Sequence, residues 1–134
     1  MSGPNESSTE SEHVVPHRWW SEPTVRQILD DLAGFVEIAE RLHARGETIF
    51  MSDEALPLAA EAVINRIGEA VNRLPDAFKA DFPAVPWRAI RGMRNLLSHH
   101  YESANSVMIW QTLETALPTF TKALGLDRLS GQPD

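Results

Sequence analysis

Apolar residues recur at three- and four-residue spacing along most of the chain from residue 22 to residue 124, the period of amphipathic helices. Val25, Ile28, Leu29, Leu32, Phe35, Val36, Ala39 and Leu42 form one stripe and predict a helix over residues 22–45. Ser21 reads as its N-cap, Pro23 sits in its first turn, and Gly46 follows its end. Residues 46–53, GETIFMSD, read as a short connection. Leu56, Ala60, Val63, Ile67, Val71 and Leu74 predict a second helix over residues 54–74. Pro57 is tolerated there only near the start. Gly68 costs about 1 kcal/mol relative to alanine inside a helix, which points to close approach of a neighbour. Residues 75–86 contain three prolines and read as an ordered connection anchored by Phe78 and Phe82. A third helix is expected over residues 87–101 and a fourth over residues 105–124, with Asn105 as N-cap. The fourth carries Val107, Trp110, Leu113, Leu117, Phe120 and Leu124 as its stripe. Pro118 should kink it, because its nitrogen cannot donate to the Glu114 carbonyl. No segment alternates at period two. The pattern predicts an all-α bundle of four main helices with short links.

The flanks carry a different composition. Residues 1–20 are rich in Ser, Glu, Gly and Pro and have little to bury, so a disordered tail is expected ahead of a folded domain over residues 21–126. Residues 127–134 read as frayed. His13 and His17 are four apart, but Pro16 between them and the polar surroundings favour two solvated histidines over a metal site. Trp19 and Trp20 are expected to dock against the bundle. No apolar run approaches the ~18 residues of a membrane span, and the N-terminus lacks the basic start and apolar middle of a secretory signal. A soluble, cytoplasmic protein is the expectation. With 134 residues the chain is long enough for one core, and its lack of cysteine rules out disulfides, a zinc–thiolate site and a cysteine nucleophile. On the second helix Glu61, Asn65 and Glu69 line up at i+4 spacing, as a solvated face or as a surface for a partner.

The net charge of −7 argues against non-specific coating of nucleic acid. Its distribution modifies that reading. Residues 82–101 contain no acid, yet they hold Arg88, Arg91, Arg94, His99 and His100. On a wheel of ~100° per residue with Arg94 at the origin, Ile90, Met93 and Leu97 fall together on a core side. Ser98, Arg91, Asn95, Arg88 and His99 follow Arg94 around the other side as a continuous polar stripe, and Tyr101 returns beside Arg94. Guanidinium groups match phosphate oxygens with paired donors, so the expected visitor is a phosphate, with Arg88 and Arg91 as binding groups.

A neutral His99 can take a proton from a ribose 2′-hydroxyl and, once protonated, give one to a leaving 5′-oxygen. Neighbouring arginines favour its neutral form. Arg94 can stabilise charge that develops on the phosphate. Asn95 can orient the imidazole or bind the phosphate. These are the parts of RNA cleavage by internal transesterification, with no metal and no cofactor required. Arg94 and His99 project about 140° apart on one ideal helix. Two copies of the helix facing across a twofold axis would bring an Arg and a His from each into one cleft, so the geometry favours a homodimer.

RNLLSHHY, residues 94–101, has the Arg-x4-His-x-Tyr form of the HepT-like ribonucleases, all-helical members of the HEPN superfamily. INRIGEAVNRLP (64–75), FPAVPWRAIRGMRN (82–95) and VMIWQTLETALP (107–118) resemble that family's blocks in the usual order. The resemblance extends over about residues 23–124. It implies a HEPN-like bundle that dimerises with its motif helices facing, and a ribonuclease with Arg94 and His99 catalytic. It implies a toxin of a bacterial toxin–antitoxin pair, neutralised by an MntA-like minimal nucleotidyltransferase that can add AMP to the motif tyrosine, Tyr101 here. An adenylyl group at the edge of the arginine stripe would block RNA phosphate. His100 occupies the free motif position, so its role is unassigned, with packing or support of the neighbouring site residues as the readings its nearer-core direction favours. The tail with Trp19 and Trp20 is outside the family pattern. The alternative reading is a HEPN-fold binding partner of a nucleotidyltransferase that does not cleave, which the intact Arg94, His99 and Tyr101 count against.

Overall fold

The computed structural model describes Val15, residues 17–97 and residues 103–126, with backbone alone at His17, 93–97 and 103–105. The described residues fold as helices: α1 His17–Trp20, α2 Pro23–His43, α3 Glu47–Ser52, α4 Ala55–Arg73, α5 Asp76–Ala80, α6 Trp87–Leu97, α7 Ser103–Gln111, a π-helical stretch Thr112–Ala116, and α8 Leu117–Leu124. No strand occurs among them. The expected all-α bundle is therefore present.

Helix α4 is the spine. It packs against α2 on one flank and α6 on the other, with α3 and α7 also against it. Two-sided packing explains why its buried face is wider than the predicted stripe. Ile64, Gly68 and Ala70 are buried in addition to Leu56, Ala60, Val63, Ile67 and Val71. On α2 the stripe holds as drawn, with Val25, Ile28, Leu29, Leu32, Val36 and Ala39 buried and Phe35 and Leu42 half-buried against them. Phe50, Phe78 and Phe120 are among the largest fully enclosed side chains.

Four local expectations are corrected. Glu22, not Ser21, caps α2: its carboxylate accepts from the Thr24 and Val25 amides at 3.1 and 3.2 Å. A carboxylate also suits the positive end of the helix. Residues 46–53 are not a plain connection, since Glu47–Ser52 is helical and drives Phe50 into the core. Six residues with a single anchor are too short to show an apolar stripe. The last helical segment is under way at Ser103, ahead of the cap expected at Asn105. Val107, expected inside, is 49% exposed, and Ile109 is buried instead.

The last correction shares its cause with Pro118. The helix does not break there. It widens into a π turn just before the proline, where the Leu117 amide bonds back to the Thr112 carbonyl. The extra residue in that turn changes the phase between the segments on either side of it. Hydroxyls add bonds around it: Thr112 Oγ1 donates to the Met108 carbonyl at 3.0 Å and Thr119 Oγ1 to the Thr115 carbonyl at 2.8 Å.

Between α2 and α3, Gly46 sits at φ 91° and ψ 152°, a region that side chains other than hydrogen rarely adopt. A Cβ added there would meet nothing within 4 Å. The cost of Gly46→Ala is thus backbone strain alone, expected at about 1–3 kcal/mol in urea unfolding with an unchanged m-value.

The fold also begins earlier than residue 21. Val15 is 3% exposed, and His17–Trp20 forms a helical turn. Trp19 and Trp20 pack against the core as expected. His13 lies outside the described residues.

Candidate functional site

The candidate site centres on α6. Its start is fixed by Trp87, whose indole N–H is shared between the Lys79 and Phe82 carbonyls, both at 3.1 Å. The Trp87 amide donates to the Val85 carbonyl at 2.8 Å and the Ile90 amide to the Pro86 carbonyl at 3.1 Å, closing the first turn. The Trp87 ring meets Phe78 and Phe120 edge-on, each with centroids 6.2 Å apart. One aromatic side chain therefore ties the α5 turn, α6 and α8 together.

From that anchor α6 runs helically to Leu97 with no acid in its first turn. Ile90 is buried, whereas Arg88 and Arg91 are exposed, as the helical wheel requires. Arg94 and Asn95 lie on this helix, one and just over one turn beyond Arg91. Their side chains are outside the described set, and Ser98, His99, His100 and Tyr101 lie outside the described residues altogether. The structure thus brings Arg88 and Arg91 together on one exposed face with the Arg94 and Asn95 backbone in register. Among the described residues, no group of three His, Asp or Glu side chains is placed to hold a metal ion.

Three features had no signal in the pattern. Asn65, from the polar line on α4, is half-buried, and its Oδ1 is enclosed with no hydrogen-bond partner among the described residues. His43 stacks on Trp110 with centroids 4.6 Å apart and planes 21° apart. His43 Nε2 and Trp110 Nε1 are likewise enclosed without a described partner. A cavity of about 90 Å³ opens beside His43, walled by Val36, Leu113 and Leu117.

The third is an N-terminal clasp. Trp19 Nε1 donates to Asp81 Oδ2 at 2.7 Å, and the Arg18 guanidinium pairs with the same oxygen. The Trp19 hydrogen bond, then that of Arg18, holds the Asp81 carboxyl below its ordinary value of 3.8. A lowered carboxylate stabilises the fold above the ordinary carboxylate range and loses that contribution as pH falls through the folded-state pKa. Acid titration of stability in wild type should therefore show a loss below about pH 4 that Asp81→Asn lacks. Identical acid limbs in both proteins would contradict that assignment.

Comparison with known proteins identifies the family. The model of the family described as "Ribonuclease HepT-like" matches residues 26–125. A Caldanaerobacter subterraneus subsp. tengcongensis protein named as a candidate RNase is 35% identical over 85 residues, 63% of this chain and 76% of its own. A candidate RNase of Methanocaldococcus jannaschii is 26% identical over 98 residues, 73% of this chain and 76% of that protein. The Thermococcus cleftensis protein named probable ribonuclease HepT is 28% identical over 95 residues, 70% of this chain and 86% of its own. No solved structure matches significantly. Matched over most of its length, with α3 to α8 and all but the first three residues of α2 inside the matched segment, the chain belongs to the HepT-like ribonuclease family.

Proposed function

We propose that the protein is a metal-independent endoribonuclease toxin that cleaves RNA by attack of a 2′-hydroxyl on the adjacent phosphate. The observation that carries the reading is the acid-free, arginine-rich helix α6 inside the family-matched segment, together with the Arg-x4-His-x-Tyr spacing that starts in the sequence at Arg94. Arg88 and Arg91 hold the substrate backbone. His99 accepts the 2′-hydroxyl proton, and the resulting imidazolium returns a proton to the departing 5′-oxygen. The products are a 2′,3′-cyclic phosphate and a free 5′-hydroxyl, so atoms and protons balance without water. Arg94 neutralises charge on the pentacovalent phosphate, and Asn95 orients His99 or the phosphate. Two copies supply the site, since Arg94 and His99 would project about 140° apart on a single ideal helix. The test is cleavage of purified RNA in EDTA, with end-group analysis of the products. A 3′-hydroxyl and 5′-phosphate would overturn the transesterification.

The partner in this reading is a minimal nucleotidyltransferase acting as antitoxin, with Tyr101 as the site of adenylylation. Incubation with that partner and ATP is expected to add AMP to the intact mass, the tyrosine oxygen displacing pyrophosphate from ATP, and to abolish cleavage. Tyr101→Phe should show no mass gain. A gain that persists in Tyr101→Phe would move the modification elsewhere.

A further inference from the structure

We propose that Trp19 and Asp81 are positioning residues of the ribonuclease site: the Val15–Trp20 segment clamps the α5 turn and, through Phe78 and Trp87, sets the helix that carries the arginines. The proposal rests on the ribonuclease reading for its catalytic consequence, but its structural half stands on contacts alone.

The path is continuous. Val15 is enclosed in the core, and the Glu22 amide bonds the Trp19 carbonyl at 3.2 Å, so the clasp is seated against the start of α2. Trp19 meets Phe78 edge-on at 5.3 Å while its N–H bonds Asp81. Arg18 closes over the Trp19 ring, its guanidinium carbon 5.2 Å from the centroid. Phe78, 0% exposed, passes the contact to Phe82 at 5.1 Å and to Trp87 at 6.2 Å. Trp87 opens α6, and its indole takes one acceptor from α5, the Lys79 carbonyl, and one from just beyond it, the Phe82 carbonyl.

Trp87 also stands in line with the functional stripe. On the ideal helix it projects about 20° from Arg94 and 40° from Arg91. A shift of the α5 turn that carries Trp87 therefore rotates the arginines with it. The Arg18 pair alone would not secure this, because its guanidinium is 64% exposed and exposed pairs contribute little. The half-buried Trp19 adds an indole donor to the same carboxylate, and its ring on Phe78 fixes where the α5 turn sits. Trp19 precedes the family-matched segment, which begins at residue 26, whereas Asp81 and Trp87 lie inside it. The clasp thus joins a residue ahead of the matched segment to residues within it.

The test compares full-length wild type, Trp19→Ala, Trp19→Phe and Asp81→Asn at a temperature where circular dichroism shows each folded. Trp19→Ala should speed amide hydrogen exchange over residues 82–92 by about tenfold and leave residues 55–73 unchanged. KM for RNA should rise about three- to tenfold with kcat within about twofold, because the contact path from the clasp enters α6 at Trp87, in the turn that carries Arg88. Trp19→Phe, which keeps the ring and loses the donor, should fall between wild type and Trp19→Ala. Should Trp19→Ala not fold, Asp81→Asn carries the same readouts. Unchanged exchange over residues 82–92 overturns the clasp. Faster exchange with unchanged KM overturns its positioning role and leaves a structural one. A wild type that does not cleave RNA overturns the ribonuclease reading instead. The clasp is then decided by exchange together with Kd for a 2′-O-methyl RNA, which the variants should weaken.

Discussion

His99→Ala is expected to lower the RNA cleavage rate by about 10²–10⁴-fold, the usual contribution of a positioned general acid–base group. The loss should fall on kcat with KM little changed, because the imidazole acts on protons in flight and the phosphate is held by arginines. Arg94→Ala should lower kcat as well, since its charge matters most when the phosphate carries an extra negative charge. Arg88→Ala and Arg91→Ala should raise KM instead. Mixing His99→Ala with Arg94→Ala protein offers a sharper version. If one site takes its Arg and His from different copies, heterodimers regain part of the activity that each variant lacks alone. Equal rates in wild type and His99→Ala would sink the catalytic assignment, and mixtures that recover nothing would place both groups in one protomer's own site.

The largest expected effect on stability is at Phe78. Phe78→Ala should cost about 3–5 kcal/mol, the range for emptying a large aromatic site in a packed core. For a domain of this size that corresponds to a fall in Tm of roughly 10–25 °C. Phe78 touches Trp19, Phe82 and Trp87 at once, so neither the clasp nor the α5 turn can collapse into the void without moving the other. A Tm loss of only a few degrees would mean that the site repacks, and that the aromatic path between the N-terminal segment and α6 is slack. The same variant read by cleavage connects the two predictions. A measurable KM rise at low temperature is expected, where the protein is folded but α6 is less firmly seated.

Much of the architecture was legible because helical burial has a local signature. The stripes on α2 and α4 are set by side-chain spacing alone, and the core took them up nearly unchanged. Phe78 and Phe82 were recognisable as anchors because two aromatic residues in a proline-rich connection have little reason to face water. Helix α3 was not legible, since six residues cannot display a period. The π turn before Pro118 was not legible either. A proline announces a lost hydrogen bond, but whether the chain kinks or widens depends on what the neighbouring helices leave room for.

The candidate site divides in the same way. The acid-free window, the three arginines in helical register and the Arg-x4-His-x-Tyr spacing are properties of the chain itself. So is the excess of negative charge elsewhere along it. The anchor of that helix is not. Trp19 and Asp81 are 62 positions apart, and nothing local to either announces the other. Their pairing, and the seat of Trp87 over the α5 turn, exist only once α4 has brought both ends of the bundle together. Local periodicity determined which faces are buried and where the arginine charge lies; tertiary packing decided what anchors the helix that carries it, because contacts between distant segments depend on the shape of the whole core.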